Sequence, residues 1–66
     1  MIEQQSSELR DRWSELKVLI ESLENDLVKN VNGNKSAGVR VRKGLRALKA
    51  AASEIVKVSL SQDKQS

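Results

Sequence analysis

The stretch "NGN", residues 32–34, decides the fold because it separates two segments of helical periodicity. Gly33 can adopt the left-handed conformation that ends a helix, and Asn34 can then cap the helix that follows. A connection this short folds the chain back on itself. The sequence therefore predicts an all-α fold, an antiparallel helical hairpin, with helix one over residues 6–31 and helix two over residues 35–60.

Each predicted helix carries a heptad pattern of apolar residues. Steps of four and three residues place these side chains on one face of a helix. The pattern consists of Leu9, Trp13, Leu16, Ile20, Leu23 and Leu27 in helix one and of Val41, Leu45, Leu48, Ala52 and Ile55 in helix two. Two hairpin registers fit these faces, with the numbers of facing residues adding up to 64 or 65, or to 68. Both place the turn at residues 32–34, and the sequence does not choose between them.

The whole chain, residues 1–66, is predicted to be one domain that associates with itself. A chain of 66 residues is short for a lone fold, and it has neither Cys nor His for disulfides or the common zinc sites. Two helices alone also leave one side of their seam in water. We therefore expect a homodimeric four-helix bundle. The last residues, 61–66 ("SQDKQS"), contain no apolar side chain and are expected to fray.

Small residues in helix two suggest a close helix contact. Ala37, Gly44 and Ala51 are spaced seven residues apart, beside the heptad face. A glycine inside a helix costs about 1 kcal/mol relative to alanine. Close approach of a second backbone at Gly44, in the dimer, would offset that cost. The alternative is a glycine that is merely tolerated on the surface.

Charge is divided unevenly between the two halves. Residues 1–33 hold four basic and seven acidic side chains, a net charge of −3, whereas residues 34–66 hold eight basic and two acidic ones, a net charge of +6. Residues 35–49 contain six basic side chains and no acidic one. This division indicates a polyanion-binding surface on helix two.

The basic side chains avoid the heptad face and form one positive surface next to the turn. Phosphate groups are bound by such rows of donors and by the free backbone N–H groups at a helix start. The predicted binding residues are Asn34, Lys35, Ser36, Arg40, Arg42, Lys43, Arg46 and Lys49. The alternative is a solvated face that is partly neutralised by helix one, with Asp26 near Arg40 and Glu24 near Arg42.

The type of nucleic acid follows from what the basic stretch lacks. It has no aromatic side chain for stacking on single-stranded bases, and no Asn or Gln on its outer face for reading bases. This favours contact with the backbone of double-stranded DNA without sequence preference. Trp13, the single aromatic residue, is predicted to lie in the core. Two alternatives stay open, a dimerisation or adaptor module that binds an acidic protein partner, and a protein that binds structured RNA.

Other function classes find little support in the sequence. The carboxylates are scattered over helix one, and "NGNKSAG" lacks the spacing of a phosphate-binding P-loop, so we expect no enzyme, no cofactor and no metal site. No apolar run approaches the ~20 residues of a membrane span. The start "MIEQQSSELR" lacks the basic residues and apolar core of a signal peptide. We expect a cytoplasmic protein.

The segment "GNKSAGVRVR" resembles the bacterial linker-histone-like proteins of the chlamydial histone family. The residues that carry the resemblance are Gly33, Asn34, Lys35, Ala37, Arg40, Val41 and Arg42, together with the preceding "LIESLENDLVK". The resemblance implies a nucleoid protein that binds and compacts DNA. Chlamydial members also carry a long Lys/Ala-rich C-terminal tail, which is their main DNA-binding part, whereas this sequence ends at "SQDKQS". The sequence is therefore a tail-less relative or the helical domain alone, and as the latter it could serve for dimerisation only.

Overall fold

The computed structural model describes the backbone of residues 2–65 and the side chains of residues 8–64. It contains two helices, α1 (Ile2–Val31) and α2 (Lys35–Gln65), which pack against each other as a hairpin of 48 × 19 × 11 Å. The prediction of an all-α helical hairpin is confirmed.

Both helices are longer than the sequence pattern predicted. Helix α1 begins four residues before the predicted start, and α2 continues to Gln65, through the segment that was expected to fray. The absence of apolar residues after Leu60 removes packing but does not end a helix. No glycine or proline follows to do so.

The turn ends α1 and starts α2 through the conformations that its sequence predicted. Gly33 has a φ of 99°, in the left-handed region. Its N–H donates to the Asn30 carbonyl at 3.0 Å, and the Asn34 N–H donates to the Lys29 carbonyl at 2.9 Å, which together form a Schellman motif. Asn34 Oδ1 accepts a hydrogen bond from the Ala37 N–H at 2.9 Å, so the predicted cap of helix two is confirmed.

The seam between the helices has little apolar volume. Among residues 8–64, Ala37 and Val41 are the buried hydrophobic residues, with 0% and 5% of their surface exposed. No large side chain of this part of the chain is fully buried. The remaining seam residues are half-buried, and they are Leu9, Leu16, Leu19 and Leu23 in α1 and Gly44, Leu48, Ala51, Ile55 and Val58 in α2.

Two glycines allow the helices to approach closely. A Cβ on Gly44 would overlap the side chain of Leu23, and a Cβ on Gly38 would contact the amide of Asn30. Helix α1 of the same chain therefore occupies the space that the sequence analysis assigned to a second copy at Gly44. The physical reason is that a hairpin brings its own two helices together first, and the missing side chain lets Leu23 enter the surface of α2.

The register lies between the two that the heptads allowed. Facing pairs are Leu23 with Gly44, Asp26 with Arg40, and Asn30 with Gly38. Their residue numbers add up to 67, 66 and 68, respectively. Helix α2 is thus shifted toward the second register, because Leu23 packs on the glycine rather than on a neighbouring leucine.

The hairpin has two different flanks. We call one flank the apolar face, which consists of Trp13, Ile20 and Leu27 from α1 and Leu45 and Ala52 from α2. Trp13 is 55% exposed, and Ile20, Leu27 and Leu45 are 48–49% exposed. We call the other flank the polar face, which consists of Arg12, Glu15, Asp26, Arg40 and Glu54. Both faces border an open groove beside the seam, of about 240 Å³ next to Ile20 and Leu45 and of about 290 Å³ next to Leu16 and Leu19.

Candidate nucleic-acid interface

The first half of α2 displays six exposed basic side chains, which we call the basic surface. They extend over fifteen residues, which is roughly 21 Å along a helix axis at 1.5 Å per residue. A helix held by its own hydrogen bonds and by packing against α1 gives these charges a rigid support. The basic surface consists of Lys35, Arg40, Arg42, Lys43, Arg46 and Lys49.

Arg40 differs from the rest of the basic surface because it binds Asp26 of α1. Its Nε and Nη2 donate to Asp26 Oδ1 at 3.1 and 3.0 Å, as the sequence analysis expected for this pair. The hydrogen bonds from Arg40 lower the pKa of Asp26 below its ordinary 3.8, and the same contact raises the pKa of Arg40. The pair's contribution to stability is therefore fully present above pH 3.8 and is lost as the pH falls through the lowered pKa.

Arg42 reaches toward the turn across the surface of its own helix. Its Nη1 lies 3.2 Å from the position that a Cβ on Gly38 would occupy. Gly38 thus makes room both for Asn30 of α1 and for this guanidinium. The positive charge is drawn toward the end of the hairpin where the turn lies.

The start of α2 adds backbone donors to the basic surface. Asn34 satisfies the N–H groups of Ala37, through Oδ1, and of Gly38, through its carbonyl oxygen at 3.2 Å. The N–H groups of Lys35 and Ser36 come before these and have no carbonyl ahead of them in the helix. Because the Asn34 side chain caps the helix, its role at this site is to hold these donors in place.

Most of the basic surface forms no ion pair with the carboxylates of the described residues. The other ion pairs among residues 8–64 join Arg12 with Glu8 at 3.7 Å and Lys57 with Glu54 at 3.5 Å. Both lie nearer the open end of the hairpin than the turn. Among the ion pairs of residues 8–64, the one between Asp26 and Arg40 is therefore the pair that joins a carboxylate of α1 to the basic surface.

The described residues contain no group of three or more side chains that could hold a metal ion. Neither helix, over the same residues, is long and apolar enough to cross a membrane. The predicted binding residues all lie within the first fifteen positions of α2 and the residue before it, so one helix brings them together. The contribution of Asn30, which packs on Gly38, was not predicted, since an Asn on a helix gives no signal of a helix contact.

The family model of histone H1-like protein Hc1 matches residues 10–65, which is most of the chain. The chain belongs to the Hc1 family. No curated protein and no solved structure matches it. The match to Hc1 includes the turn, the seam from Leu16 onward in α1 and the whole basic surface, and it confirms the resemblance that the segment around Gly33 indicated. The Hc1 family is one of histone-like DNA-binding proteins of the bacterial nucleoid, and it is structural rather than enzymatic.

Proposed function

We propose that this Hc1-family chain binds double-stranded DNA without sequence specificity and compacts or bridges it at the nucleoid, in the cytoplasm. The observation that carries the proposal is the basic surface on α2. Five of its six cations, those other than Arg40, take part in no ion pair with the described residues of the hairpin. They are held on an exposed, rigid helix and are available to phosphate groups.

The dimensions of the basic surface suit a duplex backbone. Each strand of double-stranded DNA carries one negative charge per ~3.4 Å of the duplex axis, so a length of about 21 Å holds roughly six phosphates of one strand. Contacts with phosphates position a protein on DNA without reading its sequence. The N–H groups of Lys35 and Ser36 suit one further phosphate at the end of the row.

We also propose that the protein acts as a homodimer. The structure shows one hairpin with two buried hydrophobic residues, Ala37 and Val41, among those described. A domain of this size needs a larger core or a partner to be stable in water. A second copy would supply the missing core and double the basic surface.

The test is fluorescence anisotropy of a labelled random duplex, titrated with the protein at several salt concentrations. Each phosphate contact contributes roughly −0.9 to the log–log slope of affinity against salt. We expect a slope that reports several contacts and is equal for unrelated sequences. In the double variant Arg42→Glu and Arg46→Glu, affinity should fall at least about a hundredfold, while circular dichroism stays helical.

The matched control is the double variant Lys57→Glu and Lys64→Glu. It makes the same change in net charge on the same helix, beyond the basic surface, and should weaken binding far less. Equal losses in the two variants would mean that net charge alone drives binding and would contradict the assigned site. Unlabelled structured RNA and polyglutamate are added as competitors. If structured RNA displaces the labelled duplex at lower concentrations than unlabelled DNA does, the RNA-binding function is favoured instead. If polyglutamate does so, the adaptor function is favoured.

A further inference from the structure

The apolar face presents large apolar side chains to solvent. The apolar face extends over the fifteen residues from Trp13 to Leu27, roughly 21 Å of helix α1, and its large side chains are about half exposed. It contains an open groove of about 240 Å³ lined by Ile20, Leu23, Leu27, Val41, Leu45 and Leu48, with the carboxylate residue Glu24 at its edge. A second copy of the chain is an occupant of matching length, and its own apolar face has the same need for cover.

Two symmetric arrangements can place two apolar faces against each other. With the two-fold axis along the hairpin, α1 of each copy lies on α2 of the other, and both turns are at the same end. With the axis across the hairpin, α1 lies on α1 and α2 on α2, and the turns are at opposite ends. The two arrangements bury the same face but match different side chains.

Side-chain sizes favour α1 on α2. Helix α1 brings large residues to the apolar face, Trp13, Ile20 and Leu27, each about half exposed. Helix α2 brings Leu45, followed at the same seven-residue spacing by Ala52 and then by a serine. With α1 on α2, Trp13 lies level with Ala52, whose small side chain leaves room for it, and Ile20 lies level with Leu45, whereas α1 on α1 would stack large side chains on large ones and leave a gap between the two α2 helices.

Charge favours the same arrangement. The half of the chain with α1 has a net charge of −3 and the half with α2 a net charge of +6. Pairing α1 with α2 of the second copy places acid beside base, and by helical spacing it brings Glu24 level with Arg42 at the edge of the apolar face. The other arrangement places the two basic helices side by side, where like charges repel.

We propose that two copies pair through the apolar face with α1 of each on α2 of the other and both turns at one end. This rests on the proposed homodimer and goes on to define its geometry. In such a bundle the two α2 helices occupy diagonal corners, so that the two basic surfaces face in opposite directions. One dimer then binds two duplexes, one on each side, and its mode of compaction is bridging.

The arrangement is tested by the distance between the turns. Because the chain has no cysteine, Asn32→Cys gives a single site for a spin label in each copy. Neighbouring helices of a bundle are ~8–10 Å apart, so we expect a label-to-label distance below ~30 Å. A distance near the 48 Å length of the hairpin would overturn the arrangement, and so would the absence of a dimer.

A charge reversal at Lys17 tests the same dimer arrangement independently. In the proposed dimer, helical spacing places Lys17 level with Lys49 of the second copy, a like-charged pair in an arrangement that otherwise places acid beside base. Lys17→Glu should therefore tighten dimerisation, by roughly two- to tenfold for two exposed pairs. Weaker dimerisation would overturn the proposal. Lys57→Glu is the control, since Lys57 lies off the apolar face and should leave the dimer constant unchanged.

Bridging itself is tested by recovery of a labelled duplex on beads that carry an unlabelled duplex. We expect the second duplex to be retained in proportion to the dimer. Normal anisotropy titrations without retention would overturn bridging and leave the proposed DNA binding intact. Loss of both would point to the proposed function as the failure.

Discussion

The apolar face and the polar face flank the same seam, but they close it in different ways. On the polar face, Asp26 and Arg40 tie the two helices together across the seam. On the apolar face, half-exposed side chains such as Trp13 and Ile20 border an open groove, and none of the ion pairs of the described residues crosses it. The polar face borders an open groove of its own, of about 290 Å³ beside Leu16 and Leu19, so the two flanks differ in the charges and large apolar side chains that they present rather than in how far they are closed. The apolar face is suited to a second copy, and the unpaired cations of the basic surface are exposed to solvent.

The largest expected effect tests this difference directly. Ile20→Asp places a carboxylate on the apolar face, where the proposed dimer would bury it without a partner. We expect destabilisation by more than ~3 kcal/mol, because a buried and unpaired charge is costly. Loss of the dimer should be accompanied by loss of helicity, since one hairpin has too little core to remain folded. Sedimentation equilibrium and thermal denaturation followed by circular dichroism measure both.

The control for Ile20→Asp is the same new charge on the opposite flank. Ser22 lies two residues away and is exposed, and its Oγ donates to the Leu19 carbonyl at 2.7 Å. Ser22→Asp should change stability by no more than ~0.5 kcal/mol, as do most surface substitutions. A helical and dimeric Ile20→Asp variant, or equal effects of the two substitutions, would show that the flanks do not differ as described.

A smaller effect is expected at the seam that separates the flanks. Gly44→Ala gains about 1 kcal/mol in helix propensity, but the new Cβ overlaps Leu23, and overpacking costs ~1–3 kcal/mol. We expect net destabilisation of up to ~2 kcal/mol. Urea denaturation of the single variant measures this value.

The effect of Gly44→Ala on stability should change sign when the large side chain of Leu23 is removed from the seam. In a Leu23→Ala background the space in front of residue 44 is free, so Gly44→Ala should then stabilise the fold by up to ~1 kcal/mol. The double-mutant cycle thus isolates the contact between Leu23 and residue 44. Equal effects of Gly44→Ala in both backgrounds would mean that the two helices do not pack at this glycine.

Much of the hairpin could be predicted from local sequence. Gly33 and Asn34 specify the turn through backbone geometry, and the pairing of Asp26 with Arg40 follows from helical spacing once the turn is placed. These features depend on residues close to the turn, where a shift of register by one or two positions changes little. The family, too, was indicated by the segment that follows the turn.

Which heptad residues lie at the seam and which lie on the apolar face could not be predicted. Leu16 and Ile20 follow the same apolar pattern, yet Leu16 lies at the seam and Ile20 lies on the apolar face. Hydropathy does not separate two interfaces that share one stripe. Their boundary is set by the closest approach of the helices, and that occurs at Gly44, a residue with no hydrophobic side chain to reveal it.

The smallest expected effect connects the polar face with the basic surface. Arg40 is committed to Asp26, so it contributes less to phosphate binding than its neighbours on α2. Asp26→Asn removes the charged partner and frees the guanidinium for DNA. We expect tighter binding and a log–log salt slope that is steeper by up to about 0.9, the value of one further phosphate contact. Anisotropy titrations over a salt series measure the slope.

Glu21→Gln separates this release of Arg40 from a simple change of net charge. It removes one negative charge from the same helix, and Glu21 takes part in none of the ion pairs among residues 8–64. Both variants should raise affinity through weaker repulsion of DNA, but only Asp26→Asn should steepen the slope, because slope counts contacts whereas affinity also responds to distant charge. Equal slopes would mean that Arg40 stays outside the binding surface even when it is free. Helix α2 would then bind DNA through its outward side alone, and the polar face would serve only to hold the hairpin together.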